Sequence, residues 1–198
     1  SFFFAAGGTL FGRTGSDAAS GIQFGGQVGI NATNAILDVM AHPNFRLNED
    51  GYGLSGMISG TVVAYFSGSW DYNMLYEALG ENLGAAPVPT VMINGETRQL
   101  RAYAGSKAIG VNPYSQHLKA AMQFAAFLAS SDSQLLRFQL CNITPAVTAL
   151  INSPEVSASI VAAAESATMA YASVAQPTIP EMGHIWGPMG DFGYYLTD

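Results

Sequence analysis

The chain has 198 residues, 49% of them hydrophobic and only 11% charged, with 7 basic against 14 acidic residues and a net charge of −7. That length buries a sizeable core as one large domain or one and a half small ones; so little charge, against about a quarter in ordinary domains, leaves Gly, Ser, Asn and Thr to supply much of the surface. An acidic balance with no basic run excludes electrostatic capture of nucleic acid or of an anionic membrane, and the single cysteine, Cys141, excludes an internal disulfide and any multi-cysteine metal site.

In chain order, "SFFFAA" is too short and too poor in basic residues for a signal peptide and reads as the inside of a helix. The chain is therefore expected to begin within a structured element, as part of something larger. No apolar run approaches the roughly 20 residues of a membrane span. After the turn-rich "GRTGSDAASG", the stretch "FGGQVGINATNAILDVMAHPN" places Val28, Ala32, Ala35, Ile36 and Val39 at helical spacing and stops at His42-Pro43. A short helix is expected over Leu54 to Ser59. The β-branched and aromatic run Thr61 to Phe66 predicts a buried strand.

From Trp70, "SWDYNMLYEALG" predicts a helix with Ser69 as N-cap and Gly80 as stop. "LGAAPVPT" is expected as a short strand, Asn94-Gly95 as a hairpin turn, and "RAYAGSKAIGVN" as one or two further strands. Between Ser115 and Leu140 two helices break at Ser130-Ser131. The first carries Leu118, Met122, Ala125 and Leu128 on one side, widened by Phe124 and Phe127, and so wide an apolar face needs a cover. Ala-rich short helices follow, with Pro154 near the start of the second. "QPTIP" is a rigid link into a last helix that begins near Glu181 and carries Trp186. Helices alternating with short strands predict an α/β fold.

Catalytic constellations are scarce. The chain lacks a Gly-Lys-Ser/Thr phosphate loop, a Gly-x-Ser-x-Gly elbow and a histidine pair at ligand spacing. His42, His117 and His184 lie in separate segments; the first two read as surface or capping residues, and His184, two before Trp186, reads better as a surface residue than as the lining of a pocket. Asp71, Glu181 and Asp191 are the carboxylates nearest the tryptophans, and each reads better as an acid complementing a helix dipole than as half of a hydrolytic pair. Cys141 is expected as a small buried apolar residue. No cofactor, metal site or catalytic residue is expected.

The aromatic residues remain. Trp70 and Trp186 each open a helix behind a loop of small residues or prolines, with Tyr65, Tyr72, Tyr76, Tyr194 and Tyr195 around them. Local reasoning leaves core packing and an exposed platform about equally open for both.

The succession "AAGGTLFG", "GINATNAILDVM", "SGTVVAYFSGSW", "AGSKAIGVNPYS", "AMQFAAFLASSDSQLLRF", "ITPAV" and "IPEMGHIWGPMG" resembles the extracellular solute-binding proteins of the maltose/maltodextrin-binding family. The turn at Gly68 to Trp70 and the segment Ile179 to Trp186 are its most specific parts. The resemblance implies an α/β C-terminal lobe of a periplasmic-binding-protein-like, type II two-lobed clamshell, with helices around a short-stranded sheet. Residues 1–107 and 155–198 would form that sugar-binding lobe discontinuously. Residues 108–154 would be crossover helices that pack on the N-terminal lobe, which would explain the wide apolar face.

By the same resemblance, Trp70 and Trp186 match tryptophans that stack on sugar rings, and Tyr52 lies near a sugar-contacting tyrosine. The implied function is capture of maltose, maltodextrin or a related oligosaccharide for an ABC importer, with the importer's membrane subunits as partners. The implied location is extracellular, either lipid-anchored on a Gram-positive surface or periplasmic. Self-association through the crossover helices is one way to cover their apolar face. Two other readings stay open: a carbohydrate-active enzyme fragment, and a structural or adhesion domain whose tryptophans are core.

Overall fold

A computed structural model describes residues 1–105 and 107–197; Ser106, inside one expected strand segment, and Asp198 lie outside the described residues. Ten α-helices and four short strands are present among them: α1 Phe2–Ala5, α2 Gly26–Met40, α3 Tyr52–Ser59, α4 Tyr72–Leu79, β1 Thr90–Ile93, β2 Glu96–Gln99, β3 Ala102–Ala104, α5 Leu118–Ala129, α6 Ser131–Cys141, α7 Thr148–Ile151, α8 Pro154–Ser157, α9 Ile160–Tyr171, β4 Ser173–Ala175 and α10 Trp186–Tyr195. Helices dominate, as expected for this α/β reading.

Local chemistry explains most of these elements. α2 buries Ala32 and Ala35, four-residue neighbours of Val28 and Val39 on the predicted stripe. The turn joining β1 to antiparallel β2 holds Asn94 at φ 53° and Gly95 at φ 79°, the left-handed pair that a two-residue hairpin needs. α5 and α6 break where expected, because the Ser130 Oγ accepts from the Ser133 N–H at 3.2 Å and caps the second helix. Ser153 caps α8 in the same way, with Pro154 in its first turn.

The chain divides into two compact units: Ser1–Arg46 with Val88–Gly105 and Thr168–Asp198, and Leu47–Pro87 with Ser106–Ala167. In the first, Phe4, Leu10, Phe11, Met182 and Ile185 form one buried cluster, flanked by Phe24 and Tyr103. A second cluster sets Ala5 and Ala35 against Ile93 and Leu100, so the hairpin lies on α2. β3 and β4 pair in parallel, Tyr103 opposite Val174. In the second unit, Phe138, Val156 and Ala162 form the buried cluster, and α3 packs on α4.

Several expectations are corrected. Thr61 to Phe66 is not a strand: the Thr61 and Val62 N–H groups both donate to the Gly56 carbonyl and close the end of α3, while Val63 is 92% exposed. A β-rich composition fits a pleated, half-buried surface, and no strand lies beside this run among the described residues. "LGAAPVPT" is irregular up to β1. Two prolines cannot donate to a ladder, and the Gln99 side-chain amide serves the Val88 and Pro89 carbonyls instead. β4 has no counterpart in the sequence reading, because three residues carry too little pattern. Cys141 is exposed, not buried, since it ends α6 beyond the buried Phe138.

Candidate functional site

The second unit carries Trp70 and Tyr52. Gly68, Ser69, Trp70 and Asp71 form one 3-10 turn ahead of α4, closed by the Asp71 N–H donating to the Gly68 carbonyl at 3.3 Å. Ser69 is therefore not the N-cap of α4, and the residue in that place, Asp71, makes no side-chain cap bond either. Its carboxylate turns back along the chain instead. It accepts from the Tyr65 hydroxyl at 2.5 Å and from the Ser67 hydroxyl, knitting residues 65–71 into a tight loop.

Within that loop the indole lies directly on Gly68. A Cβ on Gly68 would stand 2.2 Å from the Trp70 Cζ3 and 2.5 Å from its Cη2, so only glycine allows this seat. One part of the ring is thus covered by backbone, yet Trp70 as a whole is 78% exposed. Core packing is excluded for it. A large, flat, apolar surface is held open to solvent on a loop, an arrangement suited to stacking on the C–H face of a pyranose.

Tyr65 links this loop to α3. Its ring sits so close to Gly53 that a Cβ there would lie 2.5 Å from the Tyr65 Cδ2. Burial first, and then the bond to Asp71, push the Tyr65 hydroxyl above its ordinary pKa. Tyr52 is the first residue of α3, two residues earlier than the expected start, and is 39% exposed. Tyr52 immediately precedes Gly53, against which Tyr65 is seated, and Tyr65 in turn donates to Asp71, the residue after Trp70.

Trp186 belongs to the first unit. It starts α10 directly after a 3-10 helix, Pro180–Ile185, whose Met182 and Ile185 are buried in the aromatic cluster. The expected helix start near Glu181 is thus split into a 3-10 turn and an α-helix. Trp186 meets Tyr103 edge to face at 5.9 Å and 67°, and Tyr103 meets Phe4 in the same manner at 5.5 Å. This anchors one edge and leaves Trp186 half exposed, at 51%. Burial raises the pKa of the Tyr103 hydroxyl.

The remaining candidates are dispersed. His42, His117 and His184 are all exposed, as expected for surface histidines. Glu181 lies in the first turn of its 3-10 helix, where an acid complements the dipole, whereas Asp191 stands in the middle of α10 and not at a helix end. Among the described residues no group of three or more His, Cys, Asp or Glu side chains could hold a metal ion, and no helix is long and apolar enough to cross a membrane. Sequence reasoning missed Tyr65, Ser67 and Tyr103 as supports. Tyr65 lay inside an expected strand and Ser67 in the turn just after it, and Tyr103 comes near Trp186 only through the fold.

Comparison with known proteins places these features. Residues 11–164 match the family described as bacterial extracellular solute-binding protein. A protein solved with acarbose is 45% identical over 96% of this chain, with a TM-score of 0.88. The maltodextrin-binding protein of L. casei BL23, solved without ligand, is 24% identical over 98% of the chain at a TM-score of 0.82. A cyclo/maltodextrin-binding protein complexed with maltotetraose is 24% identical over 98% at 0.73. The chain covers 51%, 53% and 50% of those three proteins, about half of each. Its α/β fold is that of a solute-binding-protein lobe, and the chain belongs to the bacterial extracellular solute-binding protein family.

Proposed function

We propose that the chain is part of the substrate-binding component of an ABC importer for maltose, maltodextrin or a related oligosaccharide. Trp70 and Trp186 stack on sugar rings, Tyr52 adds a polar aromatic contact, and no bond of the ligand is made or broken. The observation that carries this reading is the exposed indole of Trp70 seated on Gly68. Similarity to a protein solved with acarbose supports an α-glucan-like ligand. Binding without chemistry is supported by the carboxylates, since Asp71 is engaged by Tyr65 and Ser67 while Asp191 lies exposed in the middle of α10.

Residues 108–154 are proposed to supply crossover helices for a partner lobe, with 1–107 and 155–198 bearing the sugar contacts. This functional division differs in kind from compactness, which groups 47–87 with 106–167. Its support is α5, which has no buried residue and exposes Leu118, Met122, Phe124 and Phe127. In the absence of that lobe, self-association through these helices is expected. Light scattering at rising concentration should give a mass above one chain, and a constant monomer mass refutes it. The proposed location is extracellular, lipid-anchored or periplasmic, with the importer's membrane subunits as partners.

Each aromatic face buried against a sugar contributes about 1–2 kcal/mol by area. Two faces therefore support at best about millimolar affinity, which needs roughly 4 kcal/mol. Single-tryptophan variants test the sites. With Trp186→Phe the remaining indole fluorescence should change on adding maltotetraose, and likewise with Trp70→Phe. An unaltered spectrum in both variants contradicts the stacking assignment.

A further inference from the structure

Asp71 occupies the N-cap position of α4 and gives that helix no side-chain hydrogen bond. An acid there ordinarily serves the helix, and giving up that local gain marks a second use for the side chain. Its carboxylate draws in Tyr65 and Ser67, while its own N–H closes the turn onto Gly68, the residue under the indole. The far end of this small network is fixed too. Tyr65 is seated against Gly53 of α3, and on the other side the Asn142 Nδ2 donates to the Asn73 Oδ1 at 2.8 Å, tying the first turn of α4 to the end of α6.

We infer that Asp71 is a positioning residue for the Trp70 platform: its bonds to Tyr65 and Ser67 hold the indole on Gly68 before any ligand arrives. The inference rests on Trp70 being a ligand platform. An exposed indole on a loose loop would lose rotamer freedom when a sugar settles on it, and that loss would subtract from affinity. Held by Asp71, the ring has already lost it. Charge on Asp71 strengthens both bonds, because each hydroxyl donates to an ionised acceptor. Tyr65 is the more informative partner, since its ring can stay against Gly53 after the hydroxyl is removed.

In a Trp186→Phe chain Trp70 is the sole indole, and its time-resolved fluorescence anisotropy reports how freely it turns. Tyr65→Phe and Asp71→Asn should each release fast local motion of Trp70 while far-UV circular dichroism stays that of the parent. In the chain with both tryptophans, calorimetric titration with maltotetraose should show affinity reduced about threefold to tenfold by either substitution. If Asp71→Asn does not fold, Tyr65→Phe decides, since it removes one hydroxyl and no packing atom. An indole as restricted in Tyr65→Phe as in the parent overturns the inference whatever the sugar does. Loosened motion with unchanged maltotetraose affinity also overturns it. Loosened motion in a chain that takes up no maltotetraose at all supports the hold on the indole and overturns the platform reading instead.

Discussion

The environment of Trp70 is set by four small or polar residues rather than by a core. Gly68 leaves the space the indole fills, Gly53 leaves the space that Tyr65 fills, and the Asp71 carboxylate joins the two by accepting from the Tyr65 and Ser67 hydroxyls. The pH dependence follows from Tyr65. Its folded-state pKa is raised, so below the unfolded tyrosine value of about 10 its contribution to stability is fully present. As pH rises past that value the unfolded chain gives up the proton more readily, and the contribution is lost through the folded pKa. Thermal midpoints of the parent and Tyr65→Phe should therefore differ by a constant amount up to about pH 9 and converge above about pH 10. A difference that stays constant through the alkaline range would contradict the raised pKa of Tyr65. Because the tyrosine is only partly buried, the effect is expected to be small.

The elements that could be read in the sequence are those whose cause lies within a few residues. α2 follows from its apolar spacing, the hairpin from Asn94-Gly95, and the break between α5 and α6 from Ser130. Elements whose cause is distant escaped. The pairing of β3 with β4 joins segments far apart in the chain, and the run Thr61 to Phe66 has no partner strand among the described residues. The candidate site divides the same way: Trp70 and Trp186 stand out by rarity and by their loops, whereas Tyr103 gains its role only when the fold brings it to Trp186. The α6 cap can be tested in isolation. Ser130→Ala should cost about 0.5–2 kcal/mol in urea unfolding, while a loss within the roughly 0.5 kcal/mol of ordinary surface substitutions would show that the cap is not used.

For the whole molecule, the low charge suits the proposed binding surface of aromatic faces and neutral polar groups. A chain with 11% charged residues and a net charge of −7 has little means of attracting anions, but an uncharged oligosaccharide needs no such field. The chain spans about half of the binding proteins it resembles, so its two tryptophans should supply only part of the affinity of a complete clamshell. The central claim is that both indoles meet sugar. Its most direct measurement is the pair of indole N–H signals in a heteronuclear NMR titration with maltotetraose, carried well beyond the roughly millimolar dissociation constant expected from two stacked faces. Both signals should move progressively and saturate. Two signals that stay fixed while the sugar is added would contradict the account.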